Sequence, residues 1–353
     1  MNVLLINFIL LLVLGFFCYS FISTEKRVNY FVCISFIILL FPRTFVDIQS
    51  VPDLEFYRLG FKQLQSIDFL KVPTSEIYDV KMEEIGFRYL MKISSIVSSS
   101  FTFFLFVFGT LWLCGYIRVI KAYSPYIILS IILLTLGAYN QSIFVIRQHL
   151  AMVVVFLSYK YVIDKKLIKY LFAIFVAFSL HQTAFIALPL YFLYHIHGKK
   201  KALLTLVLIS VFLYFSFSYL LKNMGGEMLY GYSSYIESDV QTNATGAILH
   251  AIELALFVIM LKKHIFDDGI NKLLFISLVL GLIVSTCGIG FNPTGRLAMY
   301  YTSISYLTVP IILKYTNNRY IRSIIAVTFV SLFFYMSFFG SGYDSLKNLK
   351  INV

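Results

Sequence analysis

Arg147 and His181 have the side chains best suited to chemistry in this chain. Arg147 opens an apolar run with Gln148 beside it, and His181 closes the next run. A guanidinium is always charged and matches a phosphate with two parallel hydrogen bonds. A helix start adds free N–H groups that suit an anion. One reading of Arg147 is therefore a diphosphate clamp. The other is an interfacial arginine reaching for lipid headgroups. His181 is a general base near neutral pH, a donor to phosphate, or a polar residue bonding across a helix bundle.

Other candidates gather around these two. Arg296 follows a Pro-Thr-Gly stretch and opens a further apolar run. It reads as a second cation in a cavity or as an interfacial anchor. Asp53 and Tyr57 lie four apart, and Glu84 stands two residues before Gly86-Phe87. They belong to a stretch from Asp47 to Glu84 with eight acids and four bases. Such a loop can hold sugar hydroxyls and take a hydroxyl proton, or it can simply be solvated. His250 and Glu253 lie three apart at a helix start. Glu253 is an acid inside a span, so it is either functional or paired in burial. The tyrosines Tyr230, Tyr232 and Tyr235 read as sugar-stacking rings or as part of an interfacial belt.

These residues need elements to position them. The chain has 353 residues, 59% hydrophobic and 13% charged. Soluble domains carry roughly 25% charge, and runs of near 20 apolar residues recur from end to end, each long enough to cross a bilayer. The composition predicts an all-α polytopic membrane protein of about 12 spans, organised as a single domain over 1–353. The expected spans are 2–22, 28–46, 99–117, 125–144, 147–163, 167–183, 184–197, 202–221, 246–262, 270–290, 297–313 and 320–339. The first reads as a retained span, not a cleaved signal. Residues 47–98 form an outer loop that contains an interfacial amphipathic helix near 84–98. A second outer loop covers 222–245, and the stretch from Gly340 to Val353 reads as a loose tail.

Arg147 and His181 are 34 residues apart. One straight helix would separate them by about 50 Å. A hairpin turning at Asp164-Lys165-Lys166 returns both to one level. Charge gives that level a side. Seventeen of the 29 Lys and Arg residues fall on alternate connections, such as Lys160–Lys169 and Lys199–Lys201, against only four acids. The positive-inside rule makes those connections cytoplasmic. Arg147, His181, Arg296 and the acidic loop then share the outer face. The net charge of +12 is thus a topology signal, and nucleic acid is not an expected partner.

Soluble-enzyme signatures are missing. The sequence has no Gly-rich phosphate loop, no His-Glu-x-x-His and no Gly-x-Ser-x-Gly. The four cysteines sit singly in apolar runs, as small buried hydrophobes do. No metal site and no cofactor are expected.

Taken in order, Asp53-x-x-x-Tyr57, Glu84-x-Gly86-Phe87, Arg147-Gln148-x-x-Ala151, His181-x-Thr183-Ala184 and the late Arg296 resemble the EpsG-like family of bacterial exopolysaccharide proteins, grouped with Wzy-type repeat-unit polymerases. Arg-Gln-x-x-Ala followed by His-x-Thr-Ala is the most specific part. The resemblance implies a GT-C-like membrane glycosyltransferase with an outer-face cavity, in the bacterial cytoplasmic (inner) membrane. Its substrates would be undecaprenyl-diphosphate-linked oligosaccharide units. Its product would be exopolysaccharide, O-antigen or capsule, and its working partners a flippase and a chain-length regulator. Arg147 and Arg296, with Gln148, would face the diphosphate. His181, Glu84 and Asp53 would share the acid–base work, with Tyr57 beside them. Glu253 and His250 stand as substrate-binding candidates on residue chemistry alone.

Two rivals share this chemistry. A flippase of lipid-linked sugars wants charge along a path through the membrane and internal repeats. Here the charges collect at one level and no repeat is visible. An O-antigen-ligase-type transferase or a membrane acyltransferase would share much of this surface chemistry; ligase and polymerase differ in acceptor, which no residue reveals.

Overall fold

The apolar runs become helices wherever the sequence can satisfy its own backbone, as a membrane requires. The computed structural model describes residues 3–51, 53–75, 84–196, 245–287, 292–339 and 349–351. The span expected at 202–221 lies outside the described residues, as does the outer loop expected at 222–245, with its tyrosines, up to its last residue, Thr245, which begins a helix.

The chain divides into two compact units: Met1–Leu157, Ala173–Ala184 and Asn317–Val353 form the first, and Ser158–Phe172 with Phe185–Thr316 form the second. The first contains α1 (Val3–Phe21), α2 (Thr24–Thr44), α3 (Leu54–Ser66), α4 (Ile85–Val97), α5 (Phe101–Tyr123), α6 (Ile127–Leu134) and α7 (Ile146–Leu157). The second opens with α8 (Tyr159–Ile163), and α9 (Leu167–Leu180) contributes to both units. The second unit continues with α10 (Pro189–His195), α11 (Thr245–Leu261), α12 (Gly269–Cys287), α13 (Asn292–Thr302) and α14 (Ser305–Tyr315). Finally α15 (Arg319–Phe339) returns to the first unit.

Five helices among the described residues are long and apolar enough to cross a membrane: α1, α2, α5, the Gly269–Thr286 part of α12, and α15. This is a helical membrane protein. Hydropathy averages over breaks that the structure shows. The expected span 125–144 contains a π-helical turn at Thr135–Tyr139. Residues 147–163 divide into α7 and α8 at Ser158, and 297–313 divides between α13 and α14. The span expected at 184–197 is a 3₁₀ helix (Gln182–Ala187) followed by α10, neither of crossing length. Pro189 stands at the start of α10, where its missing N–H is harmless.

Three elements of the first unit set up its polar residues. Helix α4 occupies the amphipathic stretch and packs on α3 and α5. Phe61 of α3, Phe87 of α4 and Phe101 and Phe104 of α5 form one aromatic cluster, with ring centroids 5.5–5.8 Å apart. Each such pair adds about 0.5–1.5 kcal/mol beyond its buried area. Lys92, also buried, donates to the carbonyls of Leu64 and Gln65 at 3.0 and 3.1 Å. These are last-turn carbonyls of α3, where a cation is favoured. Together these contacts fix the direction of α4, and so the placing of Glu84 at its start.

The third element is the end of α2. Arg43 is 2% exposed. Placing an arginine at mid-membrane costs about 2.5–3.5 kcal/mol on insertion scales. Two hydrogen bonds to Ser142, 2.7 Å to its Oγ and 2.5 Å to its carbonyl, offset this. So do the faces of Phe108 and Trp112, whose centroids lie 4.7 and 4.6 Å from the guanidinium carbon.

The end of the chain is not loose throughout. Val46 and Ile351 form an antiparallel bridge, the Asp47 N–H donates to the Lys350 carbonyl at 2.8 Å, and Leu349 is buried. Removing residues 349–353 deletes two hydrogen bonds, at roughly 1 kcal/mol each, and a buried leucine, at about 1.5–3 kcal/mol. The truncated protein is expected to unfold several degrees lower in a thermal scan in detergent.

Candidate functional site

The site grows from Glu84. This residue precedes α4 and is 7% exposed. Its Oε1 lies 2.8 Å from Nδ1 of His181, and its Oε2 takes a hydrogen bond from Nη1 of Arg147. One carboxylate thus joins the two residues that the hairpin spacing placed at one level. Arg147 also donates from Nε to the hydroxyl of Tyr57 at 3.2 Å, and its guanidinium carbon lies 5.5 Å from the Tyr57 ring centroid. Tyr57 packs edge-on against Phe87, at 5.7 Å.

Each partner arrives for a local reason. Arg147 is the second residue of α7, directly after the turn at 142–145. His181 stands just past α9, where its N–H closes the last turn on the Ala177 carbonyl at 2.9 Å. Tyr57 lies in the first turn of α3. Gly86 explains the spacing in Glu84-x-Gly86-Phe87. A Cβ there would overlap Ser179 Oγ and lie 2.9 Å from the Ser179 carbonyl oxygen. Only glycine lets α4 start this close to the end of α9, two residues from His181. Gly86→Ala is therefore expected to cost roughly 1–3 kcal/mol of stability and to lower activity by moving Glu84. Trimming Ser179 to alanine should restore little, because the carbonyl clash remains. Thermal scans of the single and double variants measure this.

Electrostatics tie the group together. Burial pushes the Glu84 carboxyl up. The hydrogen bond to His181 and the charges of Arg147 and His181 outweigh burial, so the carboxyl titrates below its ordinary value. Burial raises the Tyr57 hydroxyl, against the nearby Arg147 charge. Because the folded-state pKa of Glu84 is the lower one, its contribution to stability is complete above the ordinary glutamate pKa of about 4.3. It is lost as pH falls through the folded-state value. Acid unfolding of the wild type should accordingly show a component that is missing in Glu84→Gln, read by thermal scans from pH 6 down to pH 3.

The other sequence candidates fall elsewhere. Asp53 is exposed, with φ of 68° at the start of α3, and its side chain makes no capping bond. Gln148 is buried on α7. In the second unit, Glu253 is fully buried in α11. It accepts hydrogen bonds from Ser305 Oγ at 2.8 Å and from the Thr308 hydroxyl, with His250 Nδ1 at 3.6 Å from the same carboxylate. These bonds join α11 to α14. Arg296 is part-buried in the first turns of α13. Sequence reasoning passed over Arg43, although a lone arginine inside an expected span is a signal in its own right.

Long apolar helices make this a membrane protein, and its first unit holds a covered carboxylate between a part-exposed arginine and a part-exposed histidine. The EpsG family model matches residues 53–351, and the chain belongs to that family. The family is of the Wzy-type polymerase-like kind, so this is a membrane protein of the polysaccharide-polymerase type. Comparison with curated proteins and with solved structures gives no match.

Proposed function

We propose that this protein is a glycosyltransferase that polymerises undecaprenyl-diphosphate-linked oligosaccharide units at the outer face of the bacterial cytoplasmic membrane. The observation that carries the proposal is the single carboxylate of Glu84 shared by Arg147 and His181. A carboxylate on Nδ1 favours the tautomer in which Nδ1 carries the proton and Nε2 is the free acceptor. His181 then takes the proton of the attacking sugar hydroxyl, and Glu84 orients the ring and stabilises the imidazolium that forms.

The new glycosidic bond forms between that hydroxyl oxygen and the anomeric carbon of the growing chain. The bond from the anomeric carbon to undecaprenyl diphosphate breaks, and the leaving group keeps the electron pair. Arg147, held by Glu84 and Tyr57, offers its remaining N–H groups to the developing charge. Arg296, in the second unit, is proposed as a phosphate-binding cation in its own right. Asp53, exposed near Tyr57, is proposed to contact the incoming sugar. Arginine in these places does the work for which other transferases use a metal. A flippase and a chain-length regulator are the proposed partners.

The test is reconstitution. Purified protein in proteoliposomes receives undecaprenyl-diphosphate-linked repeat units. The proposal expects a ladder of multiples and free undecaprenyl diphosphate. Units that cross the bilayer unjoined would instead identify a flippase. Transfer only to an added lipid A acceptor would identify a ligase.

A further inference from the structure

We propose that Arg43 is a positioning residue for Arg147, acting through the turn from which α7 starts. The inference rests on the reading of Arg147 as the diphosphate ligand. Arg43 lies outside the residues that the family model matches.

Both terminal nitrogens of Arg43 bind one residue, Ser142, across 99 positions of sequence. Ser142 stands at the start of the turn at 142–145, and Arg147 follows on the second position of α7. The Ser142 hydroxyl proton is already committed, to the Tyr139 carbonyl at 2.6 Å, which leaves the oxygen to accept from Arg43. Tyr139 in turn donates its hydroxyl to the Leu39 carbonyl of α2 at 2.7 Å. The π-helical turn that carries Tyr139 takes a further bond from Ser337 of α15 to the Leu136 carbonyl. Residues 135–142 are thus fastened to α2 twice and to α15 once, just ahead of α7.

The guanidinium itself is caged by Trp112, Phe108 and Tyr139. Gly109 leaves the space: a Cβ there would lie 3.0 Å from Arg43 Cδ and 2.9 Å from a Leu40 methyl. Among the described residues no carboxylate forms an ion pair with Arg43. A neutral side chain would tie one group of Ser142 at less cost in a membrane. What the planar fork adds is a fixed angle, two N–H groups on two acceptors of one residue. That angle sets the depth and direction at which α7 presents Arg147.

Coupling to Arg147 tests this. Polymerisation kinetics are measured in proteoliposomes for Arg43→Lys, Ser142→Ala and Arg147→Lys, alone and in pairs. Ser142→Ala leaves the charge of Arg43 and its bond to the Ser142 carbonyl in place, so it serves if Arg43 variants fold poorly. We expect Arg43→Lys and Ser142→Ala each to lower kcat/KM about tenfold. Paired with Arg147→Lys, they should lower it no more than about twofold further, the mark of residues acting as one unit. A purely structural role predicts multiplicative losses that follow the thermal midpoint, and that result would overturn the inference. So would single variants within twofold of wild type. If Arg147→Lys and Arg147→Ala are both fully active, the diphosphate reading itself fails and this inference falls with it.

A second readout is direct. Trp112 is the one tryptophan of the chain, and its ring centroid lies 4.6 Å from the Arg43 guanidinium carbon. Titration with undecaprenyl diphosphate should shift its fluorescence emission in wild type but not in Arg43→Lys. No shift in wild type, with binding seen by calorimetry, would count against the coupling.

Discussion

Arg147→Ala is expected to leave cells with single repeat units where wild type makes polymer. On the proposed mechanism the guanidinium of Arg147 offers the leaving diphosphate two charge-assisted hydrogen bonds, each worth about 1.5–3 kcal/mol. Losing both slows transfer by roughly 10²- to 10⁴-fold. In a deletion strain complemented with this variant, polysaccharide chain-length analysis should show one unit, with lipid-linked units still exported. Units trapped inside would point to a flippase, and normal chains would remove Arg147 from the mechanism. Arg147→Lys keeps a charge but loses the fork, so short chains are expected. One confounder is built into the site. Without Arg147 the Glu84 carboxylate keeps only His181, and stranding a buried charge destabilises a fold. The double variant Arg147→Ala with Glu84→Gln separates the two effects, because it removes the stranded charge without restoring the ligand.

Glu84→Gln is the second large effect, and it should act on the chemical step more than on binding. The amide keeps the size of the carboxylate but cannot hold both partners. If its oxygen accepts from His181, its NH₂ group faces the Nη1 donor of Arg147. The histidine loses the charge that favours the Nδ1–H tautomer and steadies the imidazolium. General-base help is worth about 10²- to 10⁴-fold, so kcat should fall by that order with KM for the lipid-linked unit changed far less. His181→Ala should fall as far, and the double variant little further, since the two act as one unit. Glu84→Gln within threefold of wild type would sink the proton-transfer role.

Part of this site is legible in periodicity and spacing alone. A helix repeat and a Lys-rich turn suffice to return His181 to the level of Arg147. Glu84 is harder to place. It is 63 residues from Arg147 and one of eight acids in its stretch, and no local rule says which of them reaches inward. The deciding feature is the close approach that Gly86 permits against Ser179, a tertiary fact. Arg43 escapes because a charge near the end of an apolar run looks like an interfacial anchor until its cage of rings is seen. The breaks at 135–139, at Ser158 and between α13 and α14 escape because hydropathy sums apolar character and does not register a lost hydrogen bond. The bonds around Glu253 need α11 and α14 side by side, 52 and 55 residues apart in sequence.

The bridge between Val46 and Ile351 bears on how the question of sidedness can be asked. Adjacent backbones stand at one depth, so the chain between them crosses the bilayer an even number of times, however many spans it has. Val46 lies three residues past Arg43, which grips the turn before Arg147. A protease-cleavable tag joined after Val353 is therefore expected to share its compartment with the Arg147–Glu84–His181 group. Added protease that reaches the tag in intact spheroplasts would put that group, the proposed place of sugar transfer, on the outer side, with no need for a topology map.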